Sequence, residues 1–299
     1  MSVQFDQVLP HGITLACRRA GPPGPPRVVF LHGFPEAAFI WDEVMATLAQ
    51  GPQPVACVAP NLRGFAGSSA PTEVSAYRAK PLVADLVALL DALRAGGGPL
   101  PLLVAHDWGG ALAWNLAAQR PDLLQHFLVI NAPHPATFLR ELRDSPAQQA
   151  ASAYMNFLCR PDAERLLSDQ DFARLWPFFG QAEWLTPALR DTYRTLWGCK
   201  GRGLTGPLNY YRASPLRPAA GSDDAVNSVQ LPDAAVTVRV PTTVLWGEAD
   251  VALLPGLLQG LERWVPQLQV QRVPGASHWL VHEQPQCVVQ AVRACLIAG

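Results

Sequence analysis

Short apolar runs alternate along this chain with stretches in which apolar residues recur every three or four positions. The runs predict buried strands at residues 13–17, 28–31, 55–59, 102–105, 127–130, 242–246 and 270–273. The helical spacing predicts helices at residues 82–93, 109–119 and 284–297. Because the strand runs are apolar throughout rather than at every second residue, they favour a mostly parallel sheet with helices on both faces, an α/β fold.

The pattern changes between residues 136 and 231. Apolar residues keep helical spacing there, tryptophan and proline interrupt them, and no clear buried strand is apparent. This segment is predicted to be a helical cap inserted into an α/β core made of residues 1–135 and 232–299. With 299 residues, 49% of them hydrophobic, the chain is long enough to bury such a core.

Composition narrows the class of ligand. The chain has 23 Lys and Arg against 24 Asp and Glu, so its net charge of -1 favours neither nucleic acid nor an anionic membrane surface. Its 6 cysteines are dispersed without metal-ligand spacing, which is typical of free thiols in the cytoplasm. No apolar stretch approaches the ~18 residues of a membrane span. We expect a cytoplasmic protein that acts on a small neutral molecule without a metal or organic cofactor; a homodimer is compatible with the sequence.

Asp107 is the most informative residue. The apolar run 102–105 breaks at His106, and small residues at 105, 109 and 110 allow a sharp turn from strand to helix. The turn resembles the G-x-S-x-G nucleophile elbow with aspartate in place of serine. A carboxylate is ionised at neutral pH and needs no base to attack. Its attack on saturated carbon gives a stable ester, whereas attack on an acyl group gives an uphill anhydride, so the expected substrates are epoxides or organic halides.

Two further segments are predicted to meet this turn at the carboxyl ends of the strands. Asp250 follows the run 242–246, and His278 follows the run 270–273. Nucleophile, acid and histidine in that order match the order of an α/β-hydrolase triad, with Asp250 orienting His278 and His278 activating water. Glu248 is the alternative acid, but Asp250 lies farther beyond the strand end.

Other histidines near these segments are given structural roles. His282 lies one helical turn after His278 and is expected to be a structural contact on the closing helix. His106 is expected to point away from Asp107 and to be buried in packing.

The turn after the run 28–31 supplies a candidate oxyanion hole. Its backbone N–H at Phe34 can point into the crevice, joined by the N–H of Trp108 at the start of the helix that follows Asp107. Such donors contribute about 10² to 10³ in rate when they face the developing charge. Pro35, Trp108 and Tyr210 are predicted to line the substrate pocket.

Four motifs in order resemble the epoxide hydrolases of the α/β-hydrolase superfamily: HGFP at 32–35, NLRGFAGSS at 61–69, HDWGG at 106–110 and NAPHP at 131–135. The resemblance spans nearly the whole chain. It implies that two cap tyrosines hydrogen-bond the epoxide oxygen, and the matching positions are Tyr154 and Tyr211, with Tyr210 as the alternative to Tyr211. The implied reaction opens an apolar epoxide on Asp107 and hydrolyses the resulting ester to a vicinal diol.

A haloalkane or haloacid dehalogenase is the main alternative, since it shares the aspartate, histidine and water steps. Trp108 with Trp176 or Trp184 could solvate a departing halide. Against it, Phe34 stands where haloalkane dehalogenases usually have asparagine, and Trp108 stands where haloacetate-type relatives have arginine. A catalytically silent relative is disfavoured because every expected position is filled, and a serine esterase is excluded by the absence of serine at the turn.

Overall fold

The computed structural model describes residues 3–94, 97–180, 182–199, 203–221 and 223–298. Within these ranges the chain forms an eight-stranded sheet in the order β1-β2-β4-β3-β5-β6-β7-β8. The strands are β1 Val3–Val8, β2 Thr14–Ala20, β3 Val28–Leu31, β4 Cys57–Pro60, β5 Leu100–His106, β6 Leu124–Ile130, β7 Thr242–Gly247 and β8 Leu268–Val273. Only the pairs β1/β2 and β2/β4 are antiparallel; from β4 to β8 the sheet is parallel.

The helices of the core are α1 Asp42–Leu48, α2 Ala79–Arg94 and α3 Asp107–Gln119, with α12 Leu280–Glu283 and α13 Pro285–Ala298 at the end of the chain. Eight helices lie between β6 and β7 in the described residues: α4 Pro135–Asp144, α5 Pro146–Ala151, α6 Tyr154–Leu158, α7 Ala163–Phe172, α8 Pro187–Gly198, α9 Thr205–Ala213, α10 Ala225–Ser228 and α11 Asp233–Val236. The division into core and cap at 136 and 231 stays a prediction, because these elements are not separately delimited as domains.

The sheet is covered on both faces, as its composition predicted. On β3, Val28 and Phe30 belong to the apolar cluster that contains helices α1 and α13, whereas Val29 and Leu31 belong to the cluster that contains α2 and α3. Side chains alternate between the two faces of a strand, so a central strand buried on both faces must be apolar at every position. The mostly parallel sheet with helices on both faces that the sequence predicts is confirmed.

Each predicted run lies in or overlaps a strand, but β1 was not predicted. Its sequence, VQFDQV, is largely exposed because it forms the outer strand of an antiparallel hairpin at the edge of the sheet. An edge strand buries little surface and so carries little of the apolar signal by which buried strands are recognised. Neither the hairpin strand nor helix α1 contributes directly to the site described below.

Candidate active site

Asp107 is the first residue of α3 and follows directly on β5. Its backbone has φ of 50°, a left-handed conformation that is rare for a residue with a side chain. The tight turn requires small neighbours: a Cβ on Gly109 would lie 2.6 Å from the carbonyl oxygen of His32, and one on Gly110 would overlap Ala132. The turn therefore lifts the Asp107 carboxylate above the carboxyl edge of the sheet, where it lines a cavity.

The two carboxylate oxygens of Asp107 have different surroundings. Oδ1 accepts a hydrogen bond from the backbone N–H of Phe34 at 2.6 Å, and the N–H of Trp108 also donates to the carboxylate. Oδ2 lies 3.7 Å from Nε2 of His278. Burial raises the pKa of Asp107 above its ordinary 3.8, although His278 and the two N–H donors oppose the rise. The backbone of Phe34 thus holds one oxygen, and the other lies beside the histidine.

His278 is held by Asp250. Its Nδ1 lies 2.7 Å from Oδ2 of Asp250, a carboxylate whose side chain is inaccessible to solvent. Oδ1 of Asp250 accepts from the backbone N–H groups of Ala252 and Leu253 at 2.8 and 2.9 Å. Burial alone would lower the pKa of His278, but the neighbouring carboxylates, Asp250 foremost, raise it to about 9. The pKa of about 9 therefore keeps the imidazole charged at neutral pH when Asp250 and Asp107 beside it are carboxylates.

Tyr154 and Tyr211 face the nucleophile from the helices above it. Both side chains line the same two cavities as Asp107, and their ring centroids are 6.2 Å apart. The Tyr211 ring packs edge-on against Trp108 and Phe34 at centroid distances of 5.0 and 5.2 Å. Burial and the charge of Asp107 raise the pKa of both phenols. Both tyrosines consequently remain protonated and can donate a hydrogen bond over Asp107.

Comparison with known proteins identifies the family of this chain. The family model for the α/β hydrolase fold matches residues 26–285. Epoxide hydrolase 3 of Xenopus tropicalis is 33% identical over 90% of this chain and 70% of its own length. This chain belongs to the epoxide hydrolases of the α/β-hydrolase family. The AB hydrolase superfamily protein YfhM of Bacillus subtilis is 32% identical over 94% of each chain.

Solved structures resemble this epoxide hydrolase over its whole length. One, described as a novel epoxide hydrolase from metagenomes of hot environments, has a TM-score of 0.87 at 32% identity and covers 99% of each chain. The epoxide hydrolase of Bacillus megaterium in complex with an inhibitor has a TM-score of 0.85 at 27% identity, covering 98% of this chain and 99% of its own. This chain thus shares its overall fold with these epoxide hydrolases.

Of the residues predicted to line the substrate pocket, Trp108 and Tyr210 line a cavity that contains Asp107, whereas Pro35 does not. Pro35 is absent from the described lining of both cavities that contain Asp107; its carbonyl instead accepts the indole N–H of Trp197 at 2.7 Å. Tyr210 lines one cavity with its ring, but its hydroxyl donates to the carbonyl of Arg63 at 2.9 Å. Neighbouring helical residues point about 100° apart, so only Tyr211 of this pair faces the nucleophile.

The alternative residues considered for the triad have other partners. Glu248 pairs with Arg272 at 3.1 Å near the surface. His106 is buried, and its Nε2 lies 2.8 Å from the carbonyl oxygen of His278. His282 lies on α12, just before the closing helix, and its Nε2 is 2.6 Å from Glu36. None of the three contacts Asp107 in the way that His278 does.

Sequence reasoning missed two supporting residues. Asn131, at φ of 38°, donates from Nδ2 to Oδ2 of Asp250 at 2.8 Å and accepts from the N–H of Gly247 at 2.8 Å. Glu36 is fully buried, and its Oε1 accepts from the hydroxyl of Tyr193 at 2.6 Å and contacts His282 at the same distance. A polar residue directly after a buried strand or turn was the available signal in both cases.

Among the described residues, no group of three or more His, Cys, Asp or Glu side chains is arranged to hold a metal ion. None of the helices in the described ranges combines the length and apolar character needed to cross a membrane.

Proposed function

We propose that this protein hydrolyses epoxides to vicinal diols through a covalent ester on Asp107. The observation that carries the proposal is one arrangement. Asp107 and two protonated tyrosines, Tyr154 and Tyr211, line the same two cavities, and His278 stands 3.7 Å from Oδ2 of Asp107. A nucleophile, an acid for the leaving oxygen and a base for water are thus presented to one space.

In the first step Oδ2 of Asp107 bonds to one oxirane carbon, and the electron pair of the broken C–O bond goes to the oxygen. That oxygen takes a proton from the phenol of Tyr154 or Tyr211. Because the ester carries no charge, the field that raised the pKa of His278 is weakened, and the imidazolium gives up a proton. This proton returns the phenolate to a phenol, so it replaces the proton that the new hydroxyl gained.

In the second step neutral His278 removes a proton from water, and the oxygen attacks Cγ of Asp107. The carbonyl oxygen becomes an oxyanion where Oδ1 now lies, within reach of the N–H groups of Phe34 and Trp108. Collapse expels the substrate oxygen, which takes the proton from His278 and leaves as diol. Hydrolysis leaves Asp107 as a carboxylic acid, which transfers its proton to His278 and so restores the charged imidazole. Asp250 stabilises that charged state throughout.

One observation fits the dehalogenase alternative: the indole N–H of Trp184, which lines the larger cavity, is buried without a hydrogen-bond partner among the described residues. A halide leaving at Asp107 needs more than one N–H donor around it, whereas the two side chains that line both cavities together with Asp107 are phenols. The indole N–H of Trp176 donates to the carbonyl of Asp171, so it is not available to a halide. The named epoxide hydrolases among the relatives support the same choice.

The decisive assay offers the protein a panel of epoxides, haloalkanes and haloacids and measures diol and free halide. We expect diol from epoxides, and halide release without diol would refute the proposal. A single turnover in oxygen-18 water then tests the ester. The label is expected in the peptide that carries Asp107 and absent from the first diol, because water attacks Cγ. Label appearing first in the diol would show direct attack of water on the epoxide.

A further inference from the structure

Two cavities of unequal size meet at the nucleophile. One has a volume of about 230 Å³ and the other of about 830 Å³. Three side chains line both of them: Asp107, Tyr154 and Tyr211. The point at which an epoxide would react therefore has room on two sides, and we call the smaller space the narrow arm and the larger one the wide arm.

The narrow arm runs along helix α3. Trp108, Ala111, Leu112 and Asn115 line it, and their spacing of three and four residues places them on one face of the helix. From Asp107 to Asn115 is eight residues, or about 12 Å at ~1.5 Å per residue. Among the described lining residues Asp107 is the only charged one. The narrow arm thus fits a slender, uncharged substituent that extends from the reacting carbon.

The wide arm has aromatic walls and acidic residues. Phe178, Trp184 and Trp279 supply apolar surface, and Glu183 and Glu283 are the carboxylates on its lining besides Asp107. Glu283 is held in place by the N–H and hydroxyl of Ser277 at 2.7 and 2.6 Å. The described lining contains no Lys or Arg. The one cationic side chain on this described lining, His278, already lies between Asp250 and Asp107, so a negatively charged substituent would meet carboxylates without a free cation to pair with.

We infer that the preferred substrates are uncharged epoxides with a substituent on each oxirane carbon, one lying along α3 and the other in the wide arm, and that anionic substituents are disfavoured. This inference rests on the proposed function. A terminal epoxide fills only one arm and leaves the other without apolar contact, so it gains less binding energy in the transition state. The acidic lining adds discrimination by charge on top of discrimination by shape.

Isomeric decene oxides test the two arms, because a terminal and a mid-chain isomer have the same atoms. We expect kcat/KM for the mid-chain isomer to exceed that of the terminal isomer by about tenfold or more. Ala111→Phe fills the narrow arm and should bring this ratio close to one. The matched control is Ala92→Phe, an exposed position on α2 that lines neither arm, and it should leave the ratio unchanged.

The charge preference is tested with oleic acid epoxide and its methyl ester. We expect a higher kcat/KM for the ester, and we expect added salt to narrow the difference because it screens the carboxylates. Glu183→Gln should also narrow the difference in kcat/KM between the ester and the free acid. Glu262→Gln removes an exposed carboxylate that lines neither arm and should not.

The outcomes separate this inference from the function on which it rests. Diol formation with equal kcat/KM for both decene oxides, or a preference for the free acid over the ester, would overturn the inference and leave epoxide hydrolysis standing. A ratio that survives Ala111→Phe would show that the narrow arm does not hold the second substituent. Absence of diol from every epoxide in the set would refute the proposed function itself.

Discussion

Replacing Asp250 with asparagine separates the two chemical steps. The substitution keeps the shape of the side chain, and its oxygen can still accept from the N–H groups of Ala252 and Leu253. It removes the negative charge that lies 2.7 Å from Nδ1 of His278. Asp107 is spared, because Asp250 contacts the histidine and not the nucleophile. The first step should therefore survive better than the second.

The magnitude follows from the pKa of His278. Raising it from 6.5 to about 9 favours the charged imidazole by ~3 kcal/mol. Asp250, at 2.7 Å, supplies more of this than Asp107, at 3.7 Å. Losing most of this stabilisation lowers the rate of a step that creates charge on His278 by roughly 10². The histidine also loses the partner that sets its tautomer, and the equivalent change in serine protease triads costs about 10⁴. We expect hydrolysis of the ester to fall by about 10² to 10⁴.

The assay is a rapid-mixing experiment at neutral pH with protein in excess of the epoxide. Tryptophan fluorescence follows formation of the ester, since Trp108 lines the cavity, and quenched samples report the intact mass. For Asp250→Asn we expect ester formation within about tenfold of the unmodified protein and an accumulated species heavier by one substrate. Glu248→Gln is the matched control, since Glu248 pairs with Arg272 outside the site.

Two results would contradict this reasoning. Diol release by Asp250→Asn at the unmodified rate would show that Asp250 does not support the base. An equal loss in both steps, with no accumulated ester, would mean that the substitution disturbs Asp107 itself. Asp250 would then be needed to position His278 and not only to stabilise its positive charge.

Three further predictions concern the surroundings of Asp107. Tyr211→Phe removes a donor to the leaving oxygen and should lower the rate of ester formation by about 10². Tyr210→Phe breaks the hydrogen bond to the carbonyl of Arg63 and should instead lower the free energy of unfolding by ~1 kcal/mol, which denaturant titration would measure. Equal kinetic losses would contradict this assignment. Gly33→Ala should lower the rate of ester formation by at least ~10², because a Cβ at residue 33 would overlap Oδ1 of Asp107. An unchanged rate would mean that the turn adjusts. The pH profile of kcat/KM should fall on the acid side through a pKa above 3.8, because burial raises the pKa of Asp107 and only the ionised form attacks; an acid limb below 3.8 would contradict the direction of that shift.

Much of this protein could be read from local sequence. The central strands are apolar at every position because both of their faces are covered, and that pattern predicted them individually. The turn at Asp107 was predictable because sharp backbone geometry needs small residues at fixed spacing, and the order of Asp107, Asp250 and His278 followed from the order of strands. The chemistry of a carboxylate nucleophile is a property of the residue type and needs no coordinates.

Other features depend on contacts between residues far apart in the chain. The sequence could not show that Tyr210 bonds to Arg63 while Tyr211 faces Asp107, because the helix that carries both can be rotated without changing its pattern. The buried Glu36 contacts Tyr193 and His282, which lie 157 and 246 positions later in the chain, so no local signal identifies its partners. The two arms of the cavity are formed where the inserted helices meet the sheet. The sequence determined which groups can react, and tertiary packing decided which of them share a space, because distance and burial are set by long-range contacts.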